Sequence, residues 1–209
     1  MKKSILLGIV ALGAAAATSY GQGYITLDNY ASAGTLVTYG DALTPANGVS
    51  GAMGGIGSPL SSAWTVGLYF VGGTSGLVQA AGSDMPDASL ALGTGLGSTA
   101  QVAGSSVFGN PGYFNSPTAF NSGSTLNTTI TLEVVVYDTA GGSYANAQYR
   151  GHSHAFAMPT VGATSGSPSF TGANGMGGIE VFQVIPEPTT MALGGLGLAA
   201  LMLVRRKKA

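Results

Sequence analysis

Apolar and polar positions alternate most cleanly across residues 128–138. Ile130, Leu132, Val134 and Val136 fall on one side of an extended chain, with Thr131, Glu133, Val135 and Tyr137 on the other. Val135 and Tyr137 leave that second face only partly polar, which predicts a central strand. Residues 64–71 repeat the pattern, with Trp64, Val66, Leu68 and Phe70 opposite Thr65, Gly67, Tyr69 and Val71. A glycine-rich turn at 72–76 and the run Leu77, Val78, Gln79 and Ala80 predict a hairpin there.

The rest of the chain reads as shorter extended pieces. Residues 24–28 alternate, with Ile25 and Leu27 on one face, and 35–39 form a second β-branched run. Residues 41–60 read as a long loop rich in glycine with two prolines. Residues 81–120 are weakly patterned, with one or two short strands expected near 99–108. A turn is expected at 139–143, and one or two helical turns or an irregular crossing at 144–149. A short strand at 154–158, a loop at 159–175 and a last strand at 178–184 complete the middle. Nothing between 22 and 185 sustains a 3.6-residue apolar period. Seven or so short strands predict an all-β fold, an antiparallel β-sandwich of jelly-roll or immunoglobulin-like kind, with a barrel as the alternative.

The two ends differ from this middle. Lys2 and Lys3 precede an apolar stretch at 5–17 rich in alanine, followed by small residues. That is the layout of a secretory signal peptide over residues 1–21; an uncleaved anchor is the alternative. At the other end Pro186, Glu187 and Pro188 precede an apolar run, which stops at Arg205, Arg206, Lys207 and Lys208. Prolines on both sides of Glu187 hold that tripeptide out of a helix. The sixteen residues 189–204 predict a transmembrane helix, about 24 Å long at 1.5 Å per residue. That falls short of a roughly 30 Å hydrocarbon core. Gly194, Gly195 and Gly197 would let another helix approach closely. The domain reading is therefore a signal at 1–21, a β-rich extracytoplasmic domain at 22–185, and a C-terminal segment at 186–209 with its basic tail at 205–208.

Charge sharpens this division. Only 7% of the 209 residues are charged, against about 25% in ordinary soluble domains. Between 22 and 185 there are seven acids against the single base Arg150, a balance of −6. Nucleic-acid binding needs clustered Lys and Arg and is excluded as a function class. Cysteine is absent, so packing alone must hold the fold.

Candidate chemistry is thin. His152 and His154 stand two apart, a spacing that places both on one face of a strand and suits zinc or copper. No other His and no Cys completes such a site, so packing or surface histidines are the preferred reading. Asp84 and Asp87 lie in one loop without the ligand spacing of an EF-hand, and a solvated turn is preferred. No Gly-x-Ser-x-Gly elbow exists, and the glycine-rich stretches lack a βαβ setting for phosphate binding. Asn127, Thr128 and Thr129 fit a glycosylation triplet by chance-level pattern. Trp64, Tyr69, Tyr113, Phe114, Tyr137, Tyr144 and Tyr149 could stack on sugar rings or serve as core; packing is the commoner use. No catalytic residue, metal ligand or cofactor is assigned.

The tripeptide Pro186, Glu187 and Pro188, the short apolar run and the basic cluster at 205–208 together resemble the PEP-CTERM sorting signal of Gram-negative bacteria. More loosely, residues 23–29, 37–40 and 64–70, with Val136, Tyr137, Asp138, Tyr144, Arg150 and Gly151, look like one group of PEP-CTERM ectodomains. The resemblance implies an inner-membrane precursor oriented by its basic cluster. An exosortase would then recognise Pro186, Glu187 and Pro188 and pass the product to the cell surface or extracellular matrix. The implied function is a non-enzymatic exported protein associated with exopolysaccharide or biofilm. A carbohydrate-binding cell-surface module is the alternative, and a secreted hydrolase the third reading.

Overall fold

The computed structural model describes residues 22–29, 36–40, 55–60, 63–73, 76–102, 111–162 and 175–184. Among these residues ten strands form: β1 Gln22–Ile25, β2 Val37–Tyr39, β3 Trp64–Gly72, β4 Ala91–Leu92, β5 Thr99–Gln101, β6 Phe120–Thr125, β7 Thr129–Asp138, β8 Tyr149–His152, β9 Phe156–Pro159 and β10 Ile179–Gln183. One short 3-10 turn, Thr139–Gly141, follows β7. The all-β expectation holds.

The two best-patterned runs pair with each other and make the spine. β3 and β7 run antiparallel over nine register pairs, from Trp64 opposite Asp138 to Gly72 opposite Ile130. The far edge of β7 carries β8 and β9 end to end, and the far edge of β3 carries β5 and β4. β10 and β2 extend the sheet beyond β8, giving the order β2-β10-β8-β7-β3-β4. β1 and β6 form a separate antiparallel pair.

One face of the large sheet is apolar because alternate residues face it. Trp64, Val66 and Leu68 of β3 and Ile130, Leu132, Val134 and Val136 of β7 are fully buried there. Ile25 of β1, Leu27 just beyond it, Phe120 of β6, Phe114, Leu60 and Met176 join them in a single cluster. The β1–β6 pair and its flanking loops thus form the second layer of a sandwich. Phe70 and Phe120 meet edge to face across it, 5.4 Å between centroids. Buried Asn29 ties the layers together: its Nδ2 donates to the Gly112 carbonyl at 3.1 Å, and its Oδ1 accepts from the Phe114 amide at 2.7 Å.

Three expectations need correction, and one strand was not anticipated. The run at 77–80 is not a strand; both edges of β3 are already filled, by β7 on one side and β5 and β4 on the other, so no edge remains for a hairpin. β6 has no counterpart in the sequence reading, because Asn121, Ser122, Gly123 and Ser124 carry no strand signal and only Phe120 is buried. β2 and β10 pair in parallel rather than antiparallel. The two are more than a hundred residues apart, ample for the crossover of roughly a dozen or more residues that a parallel pair needs. Finally, the strand expected at 154–158 begins only at Phe156.

Glycine sets the closest approach between strands. A Cβ on Gly151 would collide with the Glu180 carbonyl of β10, so β8 and β10 can pair only with glycine at this position. The turn between β6 and β7 places exposed Asn127 in the left-handed region at φ 59°, where Asn is one of the few tolerated non-glycine residues.

Candidate functional site

The other face of the large sheet carries the polar chemistry. Glu133 and Tyr137 of β7, Tyr69 of β3, Arg150 and His152 of β8, and Glu180 and Phe182 of β10 share it by register. Residues 76–90 cross this face as a strap. Gly82 and His152 exchange backbone hydrogen bonds at 3.2 and 2.7 Å, and the Ala155 amide donates to the Gln79 carbonyl. Arg150 Nε donates to the Ser83 carbonyl at 2.8 Å, and the Tyr144 hydroxyl donates to the Asp84 carbonyl at 2.8 Å.

At the centre lies His152, wholly buried. Its Nε2 is 2.7 Å from Asp84 Oδ1, and its Nδ1 is 2.8 Å from the Ser153 carbonyl and 3.5 Å from Glu133 Oε2. Both ring nitrogens thus face oxygen atoms, and the ring joins an exposed carboxylate on the strap to a buried one in the sheet. The hydrogen bond to His152 holds the Asp84 carboxyl below its ordinary range, against a smaller opposing effect of burial. Burial pushes the Glu133 carboxyl up, and the charge of His152 draws it partly back. Neither Glu133 oxygen completes a hydrogen bond. The Asp87 amide favours the charged form electrostatically but falls short of bonding geometry.

Around this pair sits a second aromatic group. Tyr144 is buried, with Tyr69, Tyr137 and His152 set edge to face around it at 6.4–6.5 Å. The Arg150 guanidinium lies 5.1 Å from the Tyr144 ring centre. Its Nη1 donates to the carbonyls of Tyr144 and Ala145. Desolvation raises the hydroxyl pKa of Tyr69, Tyr137 and Tyr144.

Beside the strap opens a cleft of about 390 Å³, lined by Leu36, Thr38, Ala81, Gly82, Gly178, Glu180 and Phe182. Thr38 and Glu180 are register partners across β2 and β10. The Phe182 ring lies against Gly40, where a Cβ would collide with it.

The sequence-level candidates fall as follows. β8 ends at His152, so His154 leaves the strand and packs its ring 6.1 Å from Phe156; the expected one-face pair does not form. Among the described residues no group of three or more His, Cys, Asp or Glu is arranged to hold a metal ion. Asp87 is the solvated turn foreseen, accepting from Ser89 through its amide and hydroxyl. Asp84 differs: its side chain is 74% exposed yet bonded to a buried histidine. Ser153 Oγ donates to the His154 carbonyl and accepts from the Val134 amide, away from the imidazole nitrogens. Trp64, Phe114, Tyr144 and Tyr149 are buried, which removes them as sugar-stacking surfaces. Sequence reasoning passed over Glu133; a lone acid in an otherwise apolar central strand was its one available signal.

Pro186, Glu187, Pro188, Arg205, Arg206, Lys207 and Lys208 lie outside the described residues, as do the signal at 1–21 and the helix at 189–204. No helix among the described residues is long and apolar enough to cross a membrane. The last described contact is the Val184 amide donating to the Gln148 carbonyl at 2.7 Å, two positions before Pro186. Residues 184–207 match the family model of the PEP-CTERM protein-sorting motif. That motif implies exosortase processing, export and sorting to the cell envelope. No curated protein and no solved structure matches the chain.

Proposed function

We propose that the chain is a non-enzymatic exported protein whose 22–185 domain is delivered to the cell surface or extracellular matrix, in association with exopolysaccharide. In this reading residues 1–21 direct export and 189–204 hold the precursor in the inner membrane. The basic cluster Arg205, Arg206, Lys207 and Lys208 stays cytoplasmic, and Pro186, Glu187 and Pro188 are recognised by the exosortase. The observation that carries it is the sorting motif at 184–207. The non-enzymatic part is supported by the engagement of both His152 ring nitrogens and by the turn of the Ser153 hydroxyl toward backbone. Replacing Glu187 with Ala tests the sorting part. The full-length variant should accumulate in the inner membrane; release of a shortened product at the wild-type level would refute the reading.

A second reading, a carbohydrate-binding surface module, is favoured by one observation. The cleft beside the strap combines an aromatic ring, a hydroxyl and a carboxylate with aliphatic and glycine positions.

A further inference from the structure

We infer that the cleft between the strap and strands β2 and β10 is a saccharide subsite for neutral or amino sugars, and that it rejects anionic ones. The inference rests on the second reading above and gives it a place and a ligand class. Three features carry it.

The first is shape. The cleft holds about 390 Å³, within the roughly 300–1,000 Å³ of small-molecule sites. The second is a fixed apolar wall. Phe182 is half-buried and backed by the bare backbone of Gly40, so its ring is held in place where it lines the cleft. Leu36 and the Ala81 methyl add to that wall. The C–H face of a pyranose can stack on such a ring. The Thr38 hydroxyl both donates and accepts, and the Glu180 carboxylate accepts, from sugar hydroxyls or an ammonium.

The third is charge. Among the described lining residues Glu180 is the one ionisable side chain. Arg150, the sole base between 22 and 185, is bonded to three carbonyls and stacked on Tyr144. An anionic sugar entering the cleft would meet a carboxylate without a compensating cation, in a domain whose balance is −6. A hexosamine ammonium would meet a partner.

The test is titration of the full-length protein in detergent with N-acetylglucosamine oligomers, glucosamine oligomers and oligogalacturonate, for wild type, Phe182→Ala and Glu180→Gln. Wild type should bind the first two and not the third. Phe182→Ala should weaken both by about tenfold or more. Glu180→Gln should weaken glucosamine oligomers by about tenfold, the scale of one charge-assisted hydrogen bond, and spare the N-acetylated ones more. Emission of Trp64 reports whether each variant is folded; if Phe182→Ala is not, Glu180→Gln decides alone, because Glu180 is exposed. Absence of any sugar binding by wild type overturns both the cleft assignment and the second reading. Wild-type binding that neither variant alters overturns the cleft and leaves that reading standing. Binding of oligogalacturonate overturns the charge argument and with it the ligand class.

Discussion

Replacing His152 with Leu probes the pair that joins strap to sheet. The ring is fully buried, with Nδ1 3.5 Å from Glu133 Oε2 and Nε2 2.7 Å from Asp84 Oδ1. Removing one partner of a buried pair leaves the other uncompensated and costs about 3–5 kcal/mol. Asp84 adds little to this sum, because its side chain is 74% exposed and exposed pairs contribute about 0–1 kcal/mol. His152→Leu should therefore destabilise the fold by about 3–5 kcal/mol at pH 8.

The sign of the pH dependence follows from Glu133. Its folded pKa is raised above the ordinary 4.5 by burial, and loss of His152 removes the charge that draws it down. A group with a raised folded pKa favours folding in its protonated form. That contribution is complete below the unfolded pKa and is lost as pH rises through the folded one. The cost of His152→Leu should accordingly be smaller at pH 5 than at pH 8. Adding Glu133→Leu to the variant should recover most of the loss, since an apolar pair can replace a buried ionic one. Urea unfolding followed by emission of Trp64, the only tryptophan, reads all three outcomes. A loss below about 1 kcal/mol at pH 8, the level of an exposed pair, would refute the reasoning. So would a loss unchanged between the two pH values.

Other substitutions test neighbouring statements. Gly151→Ala should push β10 from β8 and lower stability by about 1–3 kcal/mol, measured by the same unfolding. Asn29→Leu removes the bonds that Asn29 makes to the Gly112 carbonyl and the Phe114 amide, while the Gly112 carbonyl keeps its bond from the Val37 amide; the variant should cost about 1–3 kcal/mol. Asp84→Asn should cost about 1 kcal/mol or less at pH 7. Because the folded Asp84 pKa is lowered, the wild-type advantage should be present above the ordinary 3.8 and fade as pH falls through the folded value. An advantage that grows on acidification would contradict the assignment.

How much of this was legible in the sequence depended on how local the signal was. β3 and β7 could be read because each states its own two faces through alternation, and their pairing follows from length and apolarity. β6 could not, because its role comes from Phe120 alone while its other residues resemble a loop. The strap was misread as a strand because an apolar run at 77–80 says nothing about which edges of β3 are taken. Glu133, His152 and Asp84 are far apart in the chain, and only the sheet register brings them together. The apparent histidine pair failed for a local reason: the strand ends at His152. The sorting motif was fully legible, since a linear tripeptide, apolar run and basic cluster are read as sequence.

The central claim is that the 22–185 domain works without the segment that sorts it. Intact mass analysis of the protein recovered from the cell surface tests this most directly. The account predicts a product that ends near Pro186, Glu187 and Pro188 and lacks residues 189–209. Recovery of surface protein that still carries Arg205, Arg206, Lys207 and Lys208 would contradict it.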